Sequence, residues 1–482
     1  MRARRCTARW RARAGGTTGV TGAARVAVVV LASVAVLGLG VPPGAFAGEA
    51  AGEPAGAAAN RAALAGAAGA AGPGEAAGTL RSAPVVPGTY AFAEDAGSVE
   101  GTVSAADAEE LVPGRTYRST LPARGKVYYR LELDATTNIY ASATAVPPAG
   151  RTASVIDGVK VTVEDGEGRA CDVDTASFGA AGSPHPVAAW AMREISPRRS
   201  LCQEAGAYYV AVERVDPDGK GSSPDPWEME LTAMTEPPLE RATATTAPRE
   251  WNSAPPRPVA GQPERRPGGA GFARATPVGH GVWRDDIRPG QTLFYKVPVD
   301  WGRQLHATAE LGGSGSGGSG YVAAALDLDL YNPARGPVAD AGLGYDGTQK
   351  AESLAPLPPV AYVNRHAVSR QVGAMRFAGS YYLVAHLSAG VADDFGDGPV
   401  PLTLRVGLSG TAQDGPGYAG ESVPSGVFSV TGEDRRAASE GAAAGDDTAF
   451  RALAVGGIGM GSALLVGLGA WTLVARRRGS LP

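Results

Sequence analysis

The sequence predicts an all-β protein with two tandem β-sandwiches. Three observations carry that prediction. Short blocks rich in Val, Leu and Tyr alternate apolar and polar residues with period two, the pattern of half-buried antiparallel strands. Turns of Gly, Pro and Asp separate the blocks, in a chain with 68 Gly and 37 Pro in 482 residues. The blocks also occur twice in the same order, and many short strands with such punctuation form sandwiches.

Taken in order, Lys126 to Leu133 (KVYYRLEL) repeats as Thr292 to Val299 (TLFYKVPV). Val159 to Val163 repeats as Leu326 to Leu330, each running into a turn at Glu164-Asp165-Gly166 or Tyr331-Asn332-Pro333. Ala205 to Val210 (AGAYYV) repeats as Ala378 to Leu383 (AGSYYL), and Trp227 to Leu231 falls opposite Pro401 to Arg405. The offset rises from 166 to 174 along the chain, as small loop insertions would produce. The two sandwiches are expected over 86–235 and 271–409, each an ordinary domain size.

The flanking segments have their own readings. Residues 1–47 hold seven Arg, no acid, an apolar run from Val26 to Val41 and an Ala45-Phe46-Ala47 cleavage pattern, which together read as a secretory signal peptide. Residues 48–85 are an Ala/Gly/Pro spacer with too few large apolar groups to order themselves. Residues 236–270 are a Pro-rich linker, and residues 410–449 a flexible Gly-, Ala- and Asp-rich stalk. Residues 450–475 are the expected transmembrane helix: the run Ala452 to Ala475 is free of charge and long enough to span a bilayer, and Arg476-Arg477-Arg478 in the short tail 476–482 places that end in the cytoplasm. The expected topology is a single-pass type I membrane protein with an extracellular ectodomain. Setting aside the signal and the inner arginines leaves 34 basic against 48 acidic residues, an acidic exterior that disfavours nucleic acid.

The order of signals within each repeat resembles the bacterial pre-peptidase C-terminal domain. The matching stretches are Gly125 to Leu133, Val159 to Gly168 and Ala205 to Val212, then Gly290 to Val299, Leu326 to Gly336 and Ala378 to Ala385. The resemblance covers about 270 of the 482 residues. It implies jelly-roll-like sandwiches and a binding or targeting role beside secreted enzymes, although no catalytic domain accompanies them here.

Candidate chemistry is sparse. Cys171 and Cys202 lie in the exported part and are expected to pair, closing a loop that stabilises by roughly 3–4 kcal/mol. Acidic turns at Asp216, Asp218 and Asp225, and at Asp393, Asp394 and Asp397, have the hard oxygen ligands of a Ca²⁺ site, yet Asp is also an ordinary turn residue. No other cofactor is expected. Tyr208-Tyr209 and Tyr381-Tyr382 put one ring inward and one outward, and the outward rings are candidate stacking platforms for a ligand. His386, on the strand after the second Tyr pair, is read as a surface residue. There is no H-E-x-x-H, G-x-S-x-G or Walker pattern, so a non-catalytic protein is expected. It would bind the cell wall, a polysaccharide or another envelope protein, or else serve as the accessory subunit of a separate enzyme.

Overall fold

A computed structural model gives the fold and describes residues 89–440, apart from 149–152, 216–223, 249 and 316. The chain divides into two units, Met1–Leu80 and Arg81–Pro482, and the described residues lie in the second. The expected signal peptide, spacer, membrane span and cytoplasmic tail fall outside the described residues. Among the described residues no helix is long and apolar enough to cross a membrane.

The structure is β throughout, with four sheets in two pairs. The first half contributes β1 (Gly97–Ser98), β2 (Thr116–Leu121), β3 (Lys126–Leu133), β4 (Asn138–Val146), β5 (Gly158–Glu164), β6 (Ala170–Ser177), β7 (Val187–Arg193), β8 (Gly206–Val215) and β9 (Trp227–Glu236). They form sheets in the orders β1-β2-β9-β4-β7 and β3-β8-β5-β6. The second half contributes β10 (Glu264–Arg265), β11 (Thr276–Pro277), β12 (Gly281–Ile287), β13 (Thr292–Val299), β14 (Gln304–Leu311), β15 (Val322–Tyr331), β16 (Pro337–Tyr345), β17 (Lys350–Ser353), β18 (Gly379–Leu387) and β19 (Val400–Ser409). Its sheets run β10-β12-β19-β14-β17 and β11-β13-β18-β15-β16.

Apart from the two-residue edge strand β11, which has no counterpart strand in the first half, the two halves have the same topology. The registers match as well: Lys126 faces Glu213 where Thr292 faces His386, and Val161 faces Val212 where Leu328 faces Ala385. The last block aligns one residue away from the sequence reading. Leu121 faces Trp227 and Ile287 faces Val400, so Trp227 matches Val400, not Pro401. Burial gives the reason: Trp227, Met229 and Leu231 enter the first core, and Val400, Leu402 and Leu404 enter the second. A one-residue slip would turn each to the wrong face.

Each sandwich encloses its own core, around Tyr129, Val161 and Leu231 in the first and around Tyr295, Leu328 and Leu404 in the second. Cys171 and Cys202 form the expected disulfide, which ties the start of edge strand β6 to the loop before β8. Arg193 is fully buried and donates to the backbone carbonyls of Thr137, Asp134, Cys202 and Glu204, clamping that same loop.

A second apolar layer joins the sandwiches. Strands β4 and β7 are buried along almost their whole length, on both faces. Their outward residues Tyr140, Trp190 and Met192 meet Ala334, Phe377 and Phe428. Beside them, Ala188 packs with Phe272, Phe294, Tyr331 and Val384 of the second half. A Cβ at Gly336 would lie 2.3 Å from the Trp190 ring, so only glycine admits that close approach. Ion pairs thread the layer. Glu230 meets Arg335, Glu194 meets Arg376, and Arg365 grips Glu236 through two bonds of 2.7 and 2.9 Å. Asn138, Tyr140 and Tyr418 also donate to Glu236, so its buried carboxylate is fully satisfied.

The segment expected as a flexible stalk is, over 410–440, an ordered strap. Val423 bridges to Thr235 of the first half, and Phe428 stacks on Phe377 at 4.2 Å. The short helix α3 (Gly432–Glu440) then returns to the second half, where Arg435 pairs with Asp300 and Ala438 is buried. Thr431 and Asp434 cap its start reciprocally, at 3.1 and 2.8 Å. Low apolar content misled the sequence reading, because a handful of large side chains anchors the whole segment. The Pro-rich linker also lies on the second sandwich, giving the Asn252 carbonyl to Gln304 and the Val259 carbonyl to Arg405.

Candidate functional site

Below the apolar layer the sandwiches part to form a cleft of about 780 Å³. One wall is the free edge of the first sandwich. There β6 carries Asp172 opposite Val163 and Asp174 opposite Val161, so both carboxylates point inward at the open edge. Inward charge on an edge strand discourages pairing with other chains. Arg370, from the helical turn α1 (Arg370–Ala374) of the second half, answers them at 3.6 Å from Asp172 and 2.6 Å from Asp174.

The facing wall is the outer surface of β15 and β16. Asp327 and Asp329 alternate with core leucines in Leu326-Asp327-Leu328-Asp329-Leu330, so they share the outward face. Asp340 of β16 lies directly opposite Asp329. Like charges opposed across a strand pair destabilise. Among the described residues these three carboxylates have neither an ion pair nor a hydrogen-bond donor. Burial pushes the Asp329 carboxyl up to about 8, and the charges of Asp327 and Asp340 add to the rise. Burial, with Asp340 beside it, takes Asp327 up to about 6. Asp174 also rises to about 6, because its burial outweighs the opposing pull of Arg370.

His185 closes the inner end of the cleft. It is 5% exposed, and burial pulls it down to about 4, so the ring is neutral at physiological pH. Nδ1 lies 2.8 Å from the Ser183 carbonyl and donates to it, which makes Nε2 the acceptor. Nε2 has no protein partner among the described residues, and the ring lines the cleft. The His185 ring stacks at 4.4 Å on His386, which sits beside Asp327 in register.

His386, read from sequence as a surface residue, is 1% exposed. Its face of the sheet points outward from the second sandwich but is sealed by the Ser183 loop of the first. Its Nε2 lies 2.9 Å from Ser183 Oγ, the spacing of a nucleophile and its base. The resemblance ends there. Thr292, not a carboxylate, holds His386 Nδ1, Ser183 Oγ also accepts the Ala389 backbone N–H, and Ser183 is only 4% exposed.

The tyrosine candidates are structural. Tyr208 and Tyr381 are core residues whose hydroxyls donate to carbonyls four positions upstream, Glu204 at 2.7 Å and Phe377 at 2.8 Å. This corner fixes the entry of β8 and β18. Tyr382 faces out of its sandwich but packs edge-on to Phe272 within the joining layer. Tyr209 is half-buried on the outer face of its sheet, across from Arg130 and Glu164. The exposed aromatic that sequence reasoning passed over is Tyr321, 66% accessible at the start of β15.

Among the calcium candidates, Asp216 and Asp218 lie outside the described residues. Asp393 and Asp394 are exposed on the helical turn α2 (Val391–Phe395), with Asp397 exposed just after it. Among the described residues, no three His, Cys, Asp or Glu side chains converge to hold a metal ion.

No protein-family model and no curated protein matches the chain. Solved structures that resemble it include the tandem CBM22 domains of Xyn10C from Paenibacillus barcinonensis, at 10% identity over 61% of this chain and 85% of that one, TM-score 0.17. The tandem CBM51 modules of a family 98 glycoside hydrolase from Streptococcus pneumoniae match at 7% identity over 61% and 83%, TM-score 0.17. The ANX1 ectodomain from Arabidopsis thaliana matches at 10% identity over 67% and 99%, TM-score 0.19. Likenesses at this level carry no conclusion about this chain.

Proposed function

We propose that this chain is a non-catalytic, type I membrane-anchored surface protein. Its ectodomain, a tandem of pre-peptidase C-terminal-like, jelly-roll-like sandwiches, binds a cell-envelope partner in the cleft between them. The cleft carries the reading. It is a concave site rimmed by carboxylates from both halves, the usual setting for a ligand. The single Ser–His contact beside it is buried and has no acid to orient it.

The alternative, an accessory subunit of a separate enzyme, calls for a large free apolar face. The apolar outer face around Tyr140 and Trp190 is already covered by the second half of the same chain. The large apolar side chains left exposed, such as Val103, Leu201 and Val368, come from separate loops.

Co-sedimentation of the detergent-solubilised full chain with purified cell wall tests the binding role. Retention in the pellet is expected. Failure to pellet, together with capture of a separate enzyme subunit from solubilised envelope, would establish the alternative.

A further inference from the structure

The outer surface of β16 shows what kind of ligand the cleft accepts; the inference rests on the binding role just proposed. Gly344, Gly342 and Asp340 follow one another along its outward face. At one end, just beyond the residues that line the cleft, the hydroxyl of Tyr321 lies 2.2 Å from where a Gly344 Cβ would be, so the tyrosine lies over that glycine. In the middle, Gly342 leaves a bare floor beside Asp327, its register partner. At the other end stand Asp340 and Asp329, and His185 offers an unclaimed lone pair from the far wall. An exposed aromatic, a glycine floor and a row of acceptors therefore lie in line.

Each part selects for something different. Exposed tyrosine offers a π face to the apolar C–H side of a pyranose ring. Hydroxyls satisfy acceptors such as the His185 nitrogen. The carboxylates of Asp327, Asp329 and Asp340 have no cation of their own, because Arg370 is engaged with Asp172 and Asp174. Carboxylates two residues apart on a strand are spaced roughly 7 Å. Asp340, opposite Asp329, does not complete a Ca²⁺ site, since among the described residues no three His, Cys, Asp or Glu side chains converge on one ion. A cation spread along a chain of sugars meets the spacing instead.

We propose that the cleft binds an amino-sugar oligosaccharide, its rings running from Tyr321 over Gly342 and its free ammonium groups against Asp327, Asp329 and Asp340.

The test is calorimetric titration of the full chain in detergent with a glucosamine tetramer, its N-acetylated counterpart and tetralysine. The glucosamine tetramer is expected to bind at least tenfold more tightly than either of the others. The Asp327→Asn/Asp329→Asn protein should lose at least tenfold in that affinity, and Tyr321→Ala should weaken it several-fold. Both variants change outward-facing residues, and a cooperative melting transition no lower than that of the wild type confirms that they fold. Equal binding of the N-acetylated tetramer, equal binding of tetralysine, or undiminished binding by the double variant would each overturn the assignment. Cell-wall sedimentation of the same proteins separates the two readings. Wild type and double variant pelleting alike would sink the cleft assignment and leave the binding role standing. Wild type failing to pellet, while still binding the tetramer, would sink the wall-binding role and leave the cleft assignment standing.

Discussion

Asp329 shows how one residue can be correct in pattern and costly in place. Its alternation with leucine marks an outward strand position, and the sequence displays that openly. The facing Asp340 is invisible until the β15–β16 register is known. The Asp329 carboxyl titrates near 8 in the fold against about 3.9 in an unfolded chain. The folded state therefore holds a proton that the unfolded state has released, and stability falls as pH climbs from about 4 to about 8. Asp329→Asn removes the ionisation, so it should raise the melting temperature at pH 8 by roughly 2–6 °C. The gain should shrink toward zero at pH 4. A calorimetric gain that is as large at pH 4 as at pH 8 would contradict this account. The surface reading of His386 failed for a related reason: alternation tells which residues leave a core, not what covers them afterwards.

At the scale of elements, the repeat was legible because each strand needs only local alternation and a turn. Even side-chain detail recurs: Asp165 caps its turn by accepting from Glu167 and Arg169, and Asn332 does the same from Ala334 and Gly336. Where the first turn has Gly168 at φ +77°, the second has Arg335 at φ +60°. A non-glycine residue in the left-handed region carries strain, and here it aims the guanidinium at Glu230. The strap was not legible, since its contacts are made by isolated residues in a Gly-rich background. Phe428, 3% exposed and stacked on Phe377, is its main anchor. Phe428→Ala should cost about 3–5 kcal/mol in denaturant unfolding. A loss under about 1 kcal/mol, the ordinary size of a surface change, would mean the strap adds little to the fold.

For the whole molecule, the sequence described two sandwiches and the structure joins them. The clue was present in β7, whose run VAAWAMR has no polar face before Arg193, while β4 (NIYASATAV) hid it, because Asn138, Ser142 and Thr144 alternate with its core residues. Strands buried on both sides read as continuous apolar stretches. What could not be read was the partner for the second face, because Glu230, Glu236 and their arginines lie about a hundred or more residues apart. The joined sandwiches should melt in one transition. Arg335→Gly removes the backbone strain but leaves Glu230 buried without its cation, at a cost of about 3–5 kcal/mol. Scanning calorimetry should then show a lower melting point and a transition splitting in two. An unchanged single transition would show that the ion pair does not couple the halves.

The strap also sets a leash. With α3 fixed to the second sandwich up to Glu440, only residues 441–451 separate the folded body from the apolar run that begins at Ala452. Eleven residues reach at most about 40 Å even when fully drawn out. On the proposed anchoring, the protein patrols a thin shell just above the bilayer. It would meet new or inner-layer wall material there and would not survey the outer surface of the envelope.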